Sequence, residues 1–560
     1  MLIQIDIQSG IQILNSRTNN REQQVLENDD ICLIIYGSLF DITKVHWIDV
    51  NELQNYKDLK SALQNFFEGA ASIIICNKKE NSIQVYTDPY RLFCLYIFRS
   101  LKKILISDSI VQLKNNISVT INETSILELA CINNTIGNKT IYNEISTLPE
   151  GKIYSFSKNE NAIQEDVESY WDYPKRQGQD ISVNEIAEVF NSHVKKGLQL
   201  SDSISLALTA GLDSRATLAA ALTGKEKLKL YTHGFAKSND VKVASGIAKH
   251  FGITHNFYDL NSADFIQSIP ELANVVNDGY EGSLNGLSHA HAVLSYTKQQ
   301  QQAEVFFSSF GGELLRTYYL PQGLPSEISL DEMADGIRKI SQVKVWIPVF
   351  NKNEKLVQEE LNQSIYNELQ LAPDKSSYVA LADFYYHRRN FNSVTTRFAA
   401  KYFKIFNPYF SREIYKMLPD VPAHLKINGD IQKQIVKDGD IYLSKVLLNN
   451  QYAAGNSVYS KLLVKAARAE HISKVLINKI TNRQLHTLYF TDYDTWIKNY
   501  HSEWFLNAFE MNNKTNAFNN MELVSFTKQY LEGHQPFAYY RFLTNIFSIL
   551  SYVNNIKLEK

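Results

Sequence analysis

Cysteine is scarce in this chain. The four present among 560 residues, Cys32, Cys76, Cys94 and Cys131, all lie in the first quarter. Their scattered spacing fits neither a metal-binding nor a disulfide framework. Three of them sit in apolar runs, as buried free thiols do, which predicts a cytoplasmic location. An excess of one charge is missing too: 57 Lys and Arg against 59 Asp and Glu leave a net charge of −2. Nucleic-acid binders usually carry a basic excess, so that partner class is set aside. Long apolar runs are also lacking. Ala70 to Ile75 is strand-sized, far short of the roughly 18 residues of a membrane span, so no membrane partner is expected. Met1 to Gly10 alternates apolar and polar residues without a basic stretch, the pattern of a first strand and not of a secretory signal. Hydrophobic residues at 44% and charged residues at 21% are ordinary for globular chains and exclude disordered, collagen-like and fibrous classes.

What is there divides in two. The first 160 or so residues are rich in strand patterns. Ile31 to Tyr36 is a β-type run ended by Gly37. Ala71 to Cys76 is a second, with Asn77–Asn81 as the hairpin turn into Ile83–Tyr86, and Leu105 to Ser107 is another. Few helices interrupt them apart from Leu59–Phe66 and the stretch around Leu127–Cys131. This predicts stacked antiparallel sheets with helices outside. A polar segment, Ser157 to Glu168, and the following Lys175-Arg176-Gln177-Gly178 mark a boundary, giving domains over 1–172 and 180–560.

From about residue 180 strands and helices alternate. Val183 to Leu198 is an amphipathic helix with Ile186, Val189, Phe190 and Val194 on one face. Ser203–Leu208 is a buried strand, Ser214–Leu222 a helix, Leu228–His233 a strand, Val241–Phe251 a helix and Asn256–Tyr258 a strand. That order implies a parallel, doubly wound α/β sheet, to which Val305–Phe307 adds a later strand. Gln299 to Gln302 reads as the solvated face of a helix. Beyond about residue 330 the pattern is helical and aromatic-rich.

The strongest chemical signal is Leu208-Thr209-Ala210-Gly211-Leu212-Asp213-Ser214, a buried strand running through small residues into a helix. Small residues let backbone N–H groups approach an anion, and the helix N-terminus adds partial positive charge. Thr209 and Ser214 can donate to phosphate oxygens, and Asp213 can hold magnesium against them. Glu313 lies on a second small-residue turn, after the apolar strand at 305–307. If the two strands are neighbours, both carboxylates reach the same sheet edge and can share the metal.

This loop resembles the pyrophosphate loop of the N-type ATP pyrophosphatases, Ser-Gly-Gly-x-Asp-Ser, with Thr209 and Ala210 replacing the first two positions. Tyr231-Thr232-His233-Gly234-Phe235 with Asp240, Ala244, Ala248, Gly252 and His255 is similar to the second strand–helix unit of asparagine synthetases. Ser308-Ser309-Phe310-Gly311-Gly312-Glu313-Leu314 resembles their Ser-Gly-x-Gly-x-Asp-Glu loop. Asn407-Pro408-Tyr409-Phe410-Ser411 resembles their Val-Pro-Phe-Leu-Asp segment, and Asp430 to Lys437 sits where they carry Glu-Lys-x-x-Leu-Arg. In the first part, Gly69–Cys76, Tyr86–Tyr90, Ile106–Ser109 and Leu148–Gly151 follow the order of the family's glutaminase half. The ordered set spans about residues 1–440.

The resemblance implies an N-terminal nucleophile-type glutaminase fold followed by a pyrophosphate-loop synthetase with a helical C-terminal part. It implies ATP and magnesium as cofactors, with Leu208 to Ser214, His233, Gly234, Ser308, Ser309 and Gly311 around the nucleotide. Asp213 and Glu313 would hold the metal, and Lys433 would be the catalytic cation. Two departures matter. Residue 2 is Leu2, where a working glutaminase needs its nucleophilic cysteine, so that half is expected to be inactive. Phe310 stands where amide-forming relatives often carry an acid or tyrosine, so either a base comes from elsewhere, with Asp278, Glu281, His289 and His291 as candidates, or the amine arrives already neutral. The expected activity is amide formation through an acyl-adenylate, with the amine supplied by the same substrate, as in β-lactam synthetases and lasso-peptide macrolactam cyclases. The substrate would be a small molecule or peptide, with biosynthetic proteins as possible partners. The alternatives are a synthetase using free ammonia or a second amine, and a scaffold that has lost the chemistry.

Overall fold

The computed structural model describes residues 1–6, 9–15, 21–158, 162–316, 328–375, 377–427, 429–448, 452–453, 490–511 and 514–554. Between 469 and 480 it also describes 469, 472–473, 476–477 and 480. The N-terminal strands are β1 (Leu2–Asp6), β2 (Gly10–Asn15), β3 (Gln23–Glu27), β4 (Ile31–Asp41), β5 (His46–Trp47) and β6 (Phe67–Asn77). They continue as β7 (Ser82–Tyr86), β8 (Tyr96–Arg99), β9 (Lys103–Ser107), β10 (Ser146–Thr147), β11 (Lys152–Lys158) and β12 (Ile163–Ser169). They form two antiparallel sheets, ordered β10-β8-β9-β1-β2 and β12-β11-β7-β6-β4-β3, with β5 on β4.

Strand β4 shows why its sequence is apolar without alternation. Cys32, Ile34, Tyr36 and Phe40 face the core between the sheets. Leu33, Ile35 and Leu39 pack on the other face with Leu59, Ala62 and Leu63 of the outer helix Leu59–Asn65. Both faces are covered, so the period-2 signal vanishes. Gly37 does not end this strand, contrary to the sequence reading. It pairs with Ala71 at φ +119°, and a Cβ there would lie 2.3 Å from the Ala70 carbonyl oxygen. Glycine is needed because the two backbones approach so closely.

The second part holds five parallel strands: β13 (Ile204–Ala207), β14 (Leu228–Gly234), β15 (Thr254–Asp259), β16 (Val305–Phe307) and β17 (Lys404–Phe406). Their order is β15-β14-β13-β16-β17. The helix Val183–Gly197 starts with a capping box between Ser182 and Glu185 and buries Ile186, Phe190 and Val194. Three sequence expectations need correction. The helix after the small-residue loop begins at Leu212, two residues early, because Gly211 takes the N-cap position. Gln299 is fully buried, its amide donating to Ser205 Oγ and to the Lys229 carbonyl. The region after residue 330 is not wholly helical, since β17 completes the sheet; three residues are too few to show a period.

The two parts share one buried seam. The Phe40 ring lies 5.9 Å from Phe406 of β17 and 6.0 Å from His193. Arg412 donates to the carbonyls of Leu63 and Phe67. Arg388 pairs with Asp383 at 3.1 Å and with Glu150 at 3.2 Å. Glu68 lies in the same seam, 5% exposed, with His193 Nδ1 at 3.6 Å. Burial pushes Glu68 up to about 7, against the pull of Arg412, and burial drives His193 down to about 3.

A raised carboxyl binds its proton more tightly folded than unfolded, so its contribution to stability falls as pH rises from about 4.5 to about 7. Glu68→Gln is therefore expected to stabilise the protein by about 1–3 kcal/mol near pH 8 and to do little near pH 5. Urea unfolding at both pH values checks this; an equal effect at both would disprove it.

Candidate active site

The strand order reverses between β13 and β16, which are direct neighbours through Ile204–Val305, Ser205–Phe306 and Leu206–Phe307. At such a switch point the loops at the strands' carboxyl ends splay apart and leave a crevice. A cavity of about 1000 Å³ opens there. Thr209, Gly211, Asp213 and Ser214 line it from β13, His233 from β14, and Ser309, Phe310 and Glu313 from β16.

The loop after β13 is held by its own side chains. The Thr209 amide donates to Ser214 Oγ at 3.2 Å and the Gly211 amide to Thr209 Oγ1 at 3.0 Å. The Ala210 amide donates to Asp240 Oδ1 at 2.8 Å. Leu208, Ala210 and Leu212 point into the core and anchor the loop without lining the cavity. Ser308 and Gly311 also stay behind the wall. Ser308 Oγ accepts from the Phe310 amide at 3.3 Å, and a Cβ on Gly311 would strike the Phe410 ring at 2.4 Å. Gly234 lies under Phe490, and its carbonyl accepts from the Leu260 amide at 3.0 Å.

Asp213 and Glu313 both reach the cavity, but Asp213 is already engaged. Arg316 Nη2 donates to its Oδ2 at 2.8 Å, and Gln432 Nε2 donates to its Oδ1 at 2.5 Å and to the Gly312 carbonyl at 3.0 Å. Tyr409 donates to the Asp213 carbonyl at 2.8 Å, so the Asn-Pro-Tyr-Phe segment supports the loop from below. Burial and the neighbouring Asp213 charge push Glu313 up to about 7. Among the described residues no three His, Cys, Asp or Glu side chains are grouped to hold a metal ion. With both Asp213 oxygens already bonded to Arg316 and Gln432, this donor set does not fit a protein-held magnesium ion.

Lys433 is absent from the cavity wall and lies 3.4 Å from Asp430. In the helix Asp430–Gly439, Gln432, Ile435 and Val436 share the buried face, and one residue further turns Lys433 about 100° away. Gln432, not its neighbour, is the residue that meets Asp213. Of the proposed bases, Asp278 is exposed on its helix, and Glu281 is half-buried against Ser109 and the Ile110 amide. Neither lines the cavity; His289 and His291 do.

Hydrogen bonding fixes the tautomer of His289. His289 Nδ1 lies 3.0 Å from the Asn285 carbonyl, which can only accept, so Nδ1 carries the proton and Nε2 the lone pair. The His291 amide donates to the Tyr493 oxygen at 3.0 Å, and its Nδ1 lies 3.1 Å from the same hydroxyl. Burial lowers both rings, and lowers His233 to about 4, so all three are neutral at pH 7.

Arg389 also lines the cavity, its guanidinium over the rings of Tyr385 at 4.9 Å and Phe391 at 5.2 Å. Sequence reading missed Arg316, Gln432 and Arg389. Arg316 had one available signal, a lone charge three residues after Glu313. Of the C-terminal aromatics, Phe490 and Tyr493 line the cavity, Trp496 and Phe505 are core, Tyr500 is 63% exposed, and Tyr489 lies outside the described residues.

Residues 185–382 match the asparagine synthase family model. That segment, which holds β13 to β16, is asparagine synthase-like. Two solved structures are similar in part. One is the glutamine-dependent NAD+ synthetase from Acinetobacter baumannii in complex with ADP, at 14% identity, 33% of this chain, 40% of that one and a TM-score of 0.19. The other is the glutamine phosphoribosylpyrophosphate amidotransferase from B. subtilis complexed with ADP and GMP, at 9% identity, 42% of this chain, 47% of that one and a TM-score of 0.17. This chain spans less than half the length of either. No curated protein sequence matches it.

A Cβ on Gly312 would sit 2.5 Å from Asp213 Cγ, and Asp213 is pinned by Arg316 and Gln432. Gly312→Ala is therefore expected to cost about 1–3 kcal/mol in urea unfolding. Asp213→Gly, which removes both the Cβ at 2.6 Å and the carboxylate, should cost less in the Gly312→Ala background than alone. Strict additivity of the two changes would show that the contact is not the cause.

Proposed function

We propose that this chain is an ATP-dependent ligase that adenylates a substrate carboxylate and joins it to an amine. The observation that supports this best is the turn at 208–214. Hydroxyls and a helix N-terminus meet at the switch point of a parallel sheet, within the asparagine synthase-like segment, and open on a cavity large enough for a nucleotide and a second substrate.

In this reading the triphosphate lies against Thr209, Gly211, Ser214 and the first turn of the Leu212–Ala221 helix. The carboxylate oxygen attacks the α-phosphorus and pyrophosphate leaves. The amine nitrogen then attacks the acyl carbon, the C–N bond forms, and AMP departs with the electron pair of the broken C–O bond. His289 Nε2 takes the amine proton, the part that Phe310 cannot play. Phe310, Phe391, Phe490, Tyr493 and Tyr540 give the cavity an aromatic wall suited to a bulky substrate.

The nitrogen comes from the substrate itself. Leu2 is 3% exposed within β1, between β2 and β9, and offers no nucleophile for glutamine. An amine tethered to the acyl group gains effective concentration worth several kcal/mol over free ammonia. Ring closure of the macrolactam or β-lactam kind follows.

ATP–pyrophosphate exchange with candidate carboxylates tests the adenylation step. Exchange should appear with the true substrate and fall by about 100-fold or more in Asp213→Ala, which unseats the loop. The isolated product should weigh one water less than the substrate, and ammonium salts should not raise the rate. A product heavier by an added amine, or steady glutamate release from glutamine, would refute the intramolecular reading.

A further inference from the structure

The base of the loop holds a feature that an ordinary nucleotide site does not need. Arg316, at the end of the turn Gly312–Leu315, reaches back to Asp213, and the two partners are 31% and 20% exposed. The pair is built and not incidental. Gln432 fixes the other carboxylate oxygen, and the close packing at Gly312 leaves Asp213 little room to rotate. A divalent ion on Asp213 would have to displace a charged hydrogen-bond donor on one oxygen and an amide on the other. Hydrogen bonds to charged groups are stronger than those between neutral ones, so both displacements oppose the ion.

We propose that Arg316 is the resident cation of this loop, holding the place on Asp213 that a divalent metal would otherwise take. It acts as a positioning residue. Its guanidinium neutralises Asp213 and keeps that carboxylate from repelling an incoming phosphate. Asp213 is then an anchor of the loop and not a metal ligand. An arginine stays charged across the working pH range, and neither a chelator nor a competing ion removes it. Any divalent ion that enters does so on the nucleotide's own phosphates. The proposal rests on the nucleotide-binding reading only in naming what the loop receives; the ion pair and its effect on metal binding stand apart from it.

The test is a manganese titration of the full chain without nucleotide, read from the EPR signal of free Mn2+. Wild type should show no protein site tighter than about 1 mM, the weak end of protein cation sites. Arg316→Met should create one site at least about tenfold tighter. The double variant Arg316→Met, Asp213→Asn should lose it again. If Arg316→Met does not fold, Arg316→Gln, which keeps a donor without the charge, should gain the same site. A wild-type Mn2+ site that Asp213→Asn abolishes would overturn the proposal, and so would folded Arg316 variants that gain nothing. ATP binding to wild type, measured separately by calorimetry, reports on the function itself. Its absence would refute the ligase reading while the manganese result still decided the role of Arg316.

Discussion

Three backbone pairs, Ile204–Val305, Ser205–Phe306 and Leu206–Phe307, decide where the candidate site of this chain sits. They join strands a hundred residues apart in sequence and put both small-residue turns at one sheet edge. The intervening chain first builds β14 and β15 on one side of β13, then returns through the helices Ala263–Tyr280 and Ala290–Gln299 to add β16 on the other side. That reversal makes the crevice. Gln299 reinforces it from beneath, tying Ser205 of β13 to the Lys229 carbonyl of β14. Move β16 to the outer edge, and Glu313 and Phe310 no longer share a cavity with Thr209 and Ser214.

Much of this was legible in the sequence because it depends on local pattern. The buried strand at 204–207, the small residues at 209–211 and the helix after them are contiguous. So are the sheet-forming runs of the first part, although Gly37 misled because a close approach between strands looks like a turn in sequence. What stayed hidden depends on distant contacts. Nothing around Gln299 announces that its amide is needed by two strands. Lys433 has the more eloquent side chain, yet helical rotation gives the contact with Asp213 to Gln432. Strand β17 is three residues long and shows no period, so its place beside β16 is settled only by the packed core. Arg316 was readable as a charge near an acidic turn, but its direction was not.

The electrostatics of the cavity form one argument. The proposed reaction brings a nucleotide and a carboxylate together, which a site with free negative charges would oppose. At 4 Å and an effective dielectric near 20, each unmatched pair of like charges costs about 4 kcal/mol. Asp213 is matched by Arg316, Glu313 is driven towards its neutral form, and His233, His289 and His291 are uncharged. Among the described residues no carboxylate lies within ion-pair distance of Arg389, so positive charge remains for an anion. The same conditions bear on the amine. A nitrogen brought into an aromatic-walled cavity loses hydration, and burial disfavours its ammonium form. It therefore enters already inclined to give up its proton, and a neutral imidazole with a fixed lone pair on Nε2 is sufficient to take it. Phe310 then becomes consistent with catalysis. In the proposed reaction an ionised acid there would stabilise the ammonium and stand against the acyl-adenylate phosphate, while a phenyl ring dries the cavity and leaves proton transfer to the proposed base, His289.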